Sequence, residues 1–232
     1  MDGQTIKILR DYFLTALIAV LAALLIRNFI LEAYRIPSLA MKPTLLPGDV
    51  IFVAKWPFKI QENTIPKRGD VVIFSEGVDA DLSMGSDYIK RVIGLPGDLV
   101  AVHKGQVFLN GKSLYVIKNP RHEECALEIL PEGRSFGICS EPPLLSEVQP
   151  LKVPADSVFV VGDYRSRSTQ KSAVGPNEEV EKKPKGWGII PISSIKGRAL
   201  WIWLSIDPHL DFGESTNWPP RLRIDRMFRE VK

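Results

Sequence analysis

Cysteine and histidine are scarce in this chain of 232 residues: two of the first, Cys125 and Cys139, and three of the second. With no pair of histidines beside either cysteine, the pattern does not support a zinc site, and no metal or cofactor is expected. An excess of charge of one sign is missing too. Thirty Lys and Arg against twenty-seven Asp and Glu leave a net charge of +3. The basic residues are scattered rather than gathered on one helix or stripe, so no nucleic-acid partner is expected, although a mildly basic surface suits anionic lipid. Internal repeats and low-complexity tracts are absent. At 45% hydrophobic and 25% charged residues, disorder throughout is excluded, and the length suffices for one substantial core, or one core plus a small subdomain.

What is present reads mostly as β structure. Seventeen glycines and eighteen prolines punctuate short β-branched runs such as Asp49-Val-Ile-Phe-Val53 and Asp70-Val-Val-Ile-Phe74. Gly105-Gln-Val-Phe-Leu-Asn-Gly-Lys112 fits a hairpin turning at Asn110-Gly111. Cys125 and Cys139 fall in a loop-like stretch rich in Glu, Pro and Gly. They are either a disulfide, contributing roughly 3 kcal/mol if the stretch lies outside the cytoplasm, or two unpaired thiols. Trp56-Pro-Phe58 and Leu200-Trp-Ile-Trp-Leu204 are aromatic clusters, the first suited either to a membrane interface or to the core.

Apolar residues concentrate near the start. Tyr12 to Ile26 reads YFLTALIAVLAALLI without a charge, and one arginine, Arg27, interrupts its continuation to Leu31. The uncharged part covers about 22 Å, less than the roughly 30 Å of a hydrocarbon core, so spanning requires Arg27 to snorkel to the headgroups. The expectation is a retained transmembrane anchor over 12–31. Residues 1–11 form its cytoplasmic N-terminus, on the count of Lys7 and Arg10, and the remainder is exported. A cleavable signal peptide and a buried core helix compete with this reading, but Ile30-Leu-Glu-Ala-Tyr34 offers no good small-x-small cleavage site.

Directly after this segment comes Tyr34-Arg-Ile-Pro-Ser-Leu-Ala-Met-Lys-Pro-Thr-Leu-Leu-Pro-Gly-Asp49. It resembles the nucleophile box of the type I signal peptidases, the Ser/Lys-dyad leader peptidases, which runs Pro-Ser-x-Ser-Met-x-Pro-Thr-Leu and then Gly-Asp. Pro37, Ser38, Met41, Pro43, Thr44, Leu45, Gly48 and Asp49 match, and Ala40 occupies the nucleophile position. Asp87-Tyr-Ile-Lys-Arg-Val-Ile-Gly-Leu-Pro-Gly-Asp98 resembles the general-base box, with Lys90 in the catalytic place. Val158-Phe-Val-Val-Gly-Asp-Tyr-Arg-Ser-Arg-Ser168 resembles the Gly-Asp-Asn-Arg-x-x-Ser box. Gly186-Trp-Gly-Ile-Ile-Pro191 and Ile195-Lys-Gly-Arg-Ala199 resemble the family's continuation beyond that box, and Arg221-Leu-Arg-Ile-Asp-Arg226 its basic end.

The resemblance implies a mainly β fold: an N-terminal transmembrane helix, then a signal-peptidase-type β-barrel or sheet as catalytic core over 32–104 and 154–232, with a small variable β subdomain over 105–153. It implies a serine endopeptidase of the cytoplasmic (inner) membrane, single-pass, with its catalytic domain on the periplasmic or extracytoplasmic face. Its partners would be membrane lipid and the signal peptides of exported preproteins, removed after small-x-small sites.

The chemistry suits these residue types. A serine hydroxyl is a weak nucleophile until a base takes its proton, and a lysine is that base only when neutral, which burial among apolar groups favours. Alternation along the strand sends Tyr88, Lys90 and Val92 to one face and Arg91 to the other, hydrated or paired. By resemblance, Ser38 joins the backbone N–H of residue 40 in an oxyanion hole, and Ser168 aims the lysine amine. Ile36, Pro37, Met41, Leu45, Tyr88 and Ile89 match the positions of shallow apolar pockets for small substrate side chains, or are plain core residues.

Three departures stand out. Ala40 removes the nucleophile, so the chain as written is expected to bind signal peptides without cutting them. The family's asparagine is Tyr164, and its Asp-Ser-Arg reads Gln170-Lys-Ser172. The alternative is therefore a non-catalytic pseudo-peptidase that binds signal peptides or partner proteins at the membrane. A self-cleaving Ser/Lys repressor needs a helix-turn-helix and a soluble N-terminus, which the apolar segment opposes.

Overall fold

The computed structural model describes residues 3–25, 30–56, 58, 64–75, 87–120, 123–142, 144–145, 147–166, 186–207 and 222–232, and the helix side chains from Arg10 to Leu21. One helix, α1 (Gly3–Leu25), precedes β1 (Leu31–Arg35), β2 (Asp49–Ala54), β3 (Val71–Ser75) and β4 (Asp87–Gly94). The middle of the chain supplies β5 (Leu99–His103), β6 (Gln106–Leu109), β7 (Lys112–Ser113), β8 (Tyr115–Lys118), β9 (Cys125–Ile129), β10 (Ser135–Cys139) and β11 (Val148–Lys152). The last third adds β12 (Ser157–Val161), β13 (Trp187–Pro191), β14 (Ile195–Ser205) and β15 (Arg229–Glu230).

The expected mainly β class is what the structure shows. Eight strands form the large sheet, in the order β1-β2-β14-β3-β4-β12-β13 with β15 paired to β14. Smaller antiparallel sheets, β11-β5-β6-β7 and β10-β9-β8, fill the interval between β4 and β12. Neighbours on β3 show why the large sheet is apolar on both faces. Ile73 packs with Ile36, Met41, Leu45, Ile51, Val53 and Ile202, while Val72 packs with Phe74, Val92, Val158, Val160 and Ile190 on the other side. A third cluster, including Ile93, Val100, Val107, Phe136, Phe159 and Val161, joins the smaller sheets to the large one.

The turn at Asn110-Gly111 forms as expected, with φ of 51° and 78°, the left-handed pair that a two-residue hairpin demands. Cys125 and Cys139 face each other across the β9–β10 pairing and are joined in a disulfide, which resolves the alternative left open by sequence.

The transmembrane anchor expected over 12–31 is corrected. The helix runs earlier, Gly3–Leu25, and takes in Lys7, Arg10 and Asp11, so its uncharged part is only about 21 Å long. Leu31 already lies in β1, opposite Ala54 of β2. Among the described residues no helix is long and apolar enough to cross a membrane. The helix is nonetheless exposed throughout its described side chains, Tyr12, Phe13, Ile18 and Leu21 included.

Candidate active site

Residues 36–48 leave the end of β1 and return as β2, and main-chain bonds close the excursion at its neck. Ile36 N–H donates to Asp49 O at 2.8 Å, and Gly48 N–H donates to Ile36 O at 2.9 Å. Asp49 is sealed from solvent, and its carboxylate receives Leu46 N–H, Ser205 Oγ, Arg223 and Arg226. Arg223 and Arg226 of the basic end thus clamp this loop. Met41 and Leu45 turn inward and are wholly buried, with Ile36 nearly so. Those inward anchors leave Pro37 exposed, and Ser38 and Ala40 half-buried.

β4 brings Lys90 to this loop. Its alternation is as expected: Tyr88 and Val92 share one apolar cluster, while Ile89 packs against the cluster of the opposite face. Lys90 retains only 7% of its exposure. Arg91, on the reverse face, is paired rather than hydrated. It is fully buried and grips Asp163 through Nε at 2.7 Å and Nη2 at 2.6 Å, while donating to Gly69 O, Thr44 Oγ1 and Lys232 O. Thr44 Oγ1 in turn hydrogen-bonds Asp163 Oδ2. One buried carboxylate therefore links all three sequence boxes.

The boxes meet at Gly162. A Cβ placed there would lie 2.6 Å from Ala40 O and 3.3 Å from Lys90 Nζ, so the absence of a side chain is what lets the residue-40 main chain and the Lys90 amine approach one point. Ala40 O accepts the amide hydrogen of Tyr164 at 3.2 Å. Ser168 lies outside the described residues, as do Gln170-Lys-Ser172.

β1 stands at one end of the strand order, and β4 pairs with β12 from Arg91 to Gly94. The Tyr34 phenol of β1 lies within reach of the Asp87 carboxylate of β4, as the curl of the sheet allows. Burial, then the charges of Glu32 and Asp87, push the Tyr34 phenol well above its ordinary range. Tyr88 and Ile89 are half-buried.

Sequence reading missed the surroundings of Tyr164. The residue is 5% exposed, Lys42 Nζ stands 5.5 Å from its ring centroid, and its hydroxyl lies near enough to the Glu141 carboxylate to interact with it. Lys42 also pairs with Glu141 at 3.5 Å and Glu124 at 4.0 Å. Burial and then the Glu141 carboxylate push the Tyr164 phenol up to about 12. The phenol, followed by the Lys42 charge, lowers the Glu141 carboxyl. The available signal was Tyr164 itself, a residue out of pattern within a recognisable box.

A family model described as signal peptidase, peptidase S26, matches residues 9–204. The chain is 32% identical over 189 residues to the probable signal peptidase I-2 of Synechocystis, covering 80% of this chain and 68% of that protein. It is 37% identical over 155 residues to a signal peptidase I of Bacillus licheniformis, covering 66% and 72%. Over a longer span, 288 residues, it is 26% identical to signal peptidase I of Haemophilus influenzae, covering 95% and 75%.

Proposed function

The chain belongs to the signal peptidase family, peptidase S26, and on that premise we propose that its site is built to remove signal peptides from exported preproteins by Ser/Lys chemistry, with residue 40 as the nucleophile position and Lys90 as general base. The observation that carries this is the convergence of Ala40 O and Lys90 Nζ on Gly162. An extended signal peptide adds a strand along β1, the end strand of the sheet, gaining main-chain bonds whatever its sequence. Its small side chains fit near Pro37, Tyr88 and Ile89, above the buried Ile36, Met41 and Leu45.

In that mechanism a hydroxyl on residue 40 attacks the scissile carbonyl while the neutral Lys90 amine takes its proton and later returns it to the leaving amine. The residue-40 N–H and the Ser38 hydroxyl hold the oxyanion, and Ser168 aims the lysine. Ala40 supplies no hydroxyl. In a comparable serine protease, loss of the nucleophile lowers turnover by about a million-fold, so this chain binds signal peptides and leaves them uncut. The deciding experiment compares cleavage of a preprotein ending in Ala-x-Ala by this chain, Ala40→Ser, and Ala40→Ser with Lys90→Ala. Cleavage by the single variant alone is expected. If that variant is inert, the second reading, a non-catalytic binder for which Ala40 speaks directly, takes its place.

The exposed apolar helix needs cover, and lipid is the partner we assign to it. The disulfide suits an extracytoplasmic body. Flotation of the chain with anionic vesicles is expected, and recovery of all protein in the unbound fraction would reject the assignment.

A further inference from the structure

We infer that Tyr164 is a positioning residue for the main chain of residue 40, held in place by the Glu141 carboxylate and the Lys42 ammonium. This rests on the reading of residue 40 as the nucleophile position. Tyr164 touches no reacting atom of its own. Its amide hydrogen bonds to Ala40 O, and that bond fixes the peptide between residues 40 and 41, and with it the Cα from which the residue-40 side chain projects.

Three restraints fix the amide. The first is a closed ring of contacts: Ala40 O to Tyr164 N–H, the Tyr164 ring to Lys42 Nζ, and Lys42 back along the chain to Ala40. The second is the Glu141 carboxylate, which pairs with Lys42 at 3.5 Å and holds that ammonium against the Tyr164 ring. The third is main-chain pairing on both sides of the residue, Cys139 N–H to Asp163 O at 3.0 Å and Arg165 N–H to Cys139 O at 2.7 Å. Cys139 is itself tied to Cys125, and Ser140 N–H bonds Glu124 O at 2.7 Å, which keeps the Glu124 and Glu141 side of this wall together. The asparagine that the signal peptidase box carries here has no ring face to offer Lys42.

Two measurements test the inference. In the Ala40→Ser background, Tyr164→Ala is expected to lower kcat about tenfold, as a small misplacement does, with KM within about twofold. Tyr164→Phe keeps the ring and loses the hydroxyl beside Glu141, so about threefold is expected, equal to Glu141→Gln and not compounded in the double variant. In the chain with Ala40, hydrogen exchange of the Tyr164 amide is expected to accelerate in Tyr164→Phe and Glu141→Gln relative to the Cys139 and Arg165 amides. A KM rise at constant kcat, or equal acceleration of all three amides, overturns the inference. So does unchanged exchange. If Ala40→Ser cleaves nothing, the Ser/Lys reading fails, and exchange alone decides whether Tyr164 pins residue 40.

Discussion

Arg91 and Asp163 close on each other as a two-bond fork, Nε to Oδ1 at 2.7 Å and Nη2 to Oδ2 at 2.6 Å, with both side chains withdrawn from solvent. Because Asp163 also receives Thr44 and neighbours Gly162, this pair is the joint at which the loop of residue 40 and the strand of Lys90 are registered. Removing one partner strands the other charge in the interior. Asp163→Asn is therefore expected to cost about 3–5 kcal/mol in urea unfolding. A loss below about 1 kcal/mol would show that the fork does not hold the site together.

Gly162 makes a sharper geometric prediction. Gly162→Ala drives a Cβ against the Ala40 carbonyl, a main-chain atom that cannot rotate away. In the Ala40→Ser background, cleavage is expected to fall about a hundredfold. Gly188→Ala is the control: a Cβ there meets nothing within 4 Å, and its activity is expected to stay within about twofold. Equal effects at both positions would contradict the close approach.

The disulfide is expected to stabilise the wall beside Tyr164. Cys125→Ser with Cys139→Ser, or reduction by dithiothreitol, is expected to lower unfolding stability by about 3 kcal/mol, the value for a closed loop of this size. Unfolding curves with and without reductant measure it, and coincident curves would remove the disulfide from the account.

The Tyr164–Glu141 pair sets a pH window. Tyr164 is raised from 10.0 to about 12, first by burial and then by Glu141, so its contribution is complete below pH 10 and is lost as pH rises through about 12. Glu141 is lowered from 4.5, first by the Tyr164 phenol and then by Lys42, so its contribution is present above pH 4.5 and is lost as pH falls. Tyrosinate absorbance in Glu141→Gln is expected to show one phenol titrating closer to 10 than in the parent chain. An unchanged titration curve would mean that the two groups do not interact.

The chemistry was legible where it is local. Three boxes in order pointed to the family, Asn110-Gly111 announced its turn, and the period of two in β4 separated Lys90 from Arg91 before any fold was known. The helix was misread because apolarity, the only signal available, does not say where pairing begins. Leu31 is as apolar as the residues before it, yet it is claimed by β2. Met41 and Leu45 illustrate the same ambiguity, since a pocket wall and a core residue are written in the same letters, and their complete burial is visible only in the fold.

By itself, then, the sequence determined the residue types and their spacing within each short box, because hydrogen-bonding turns, strand alternation and side-chain chemistry act between near neighbours. Only the tertiary structure decided that Arg91 meets Asp163, that Gly162 makes room for Ala40 and Lys90, and that Glu141 and Lys42 hold Tyr164. Those partners are far apart along the chain, and curling of the sheet and burial of the common core bring them together.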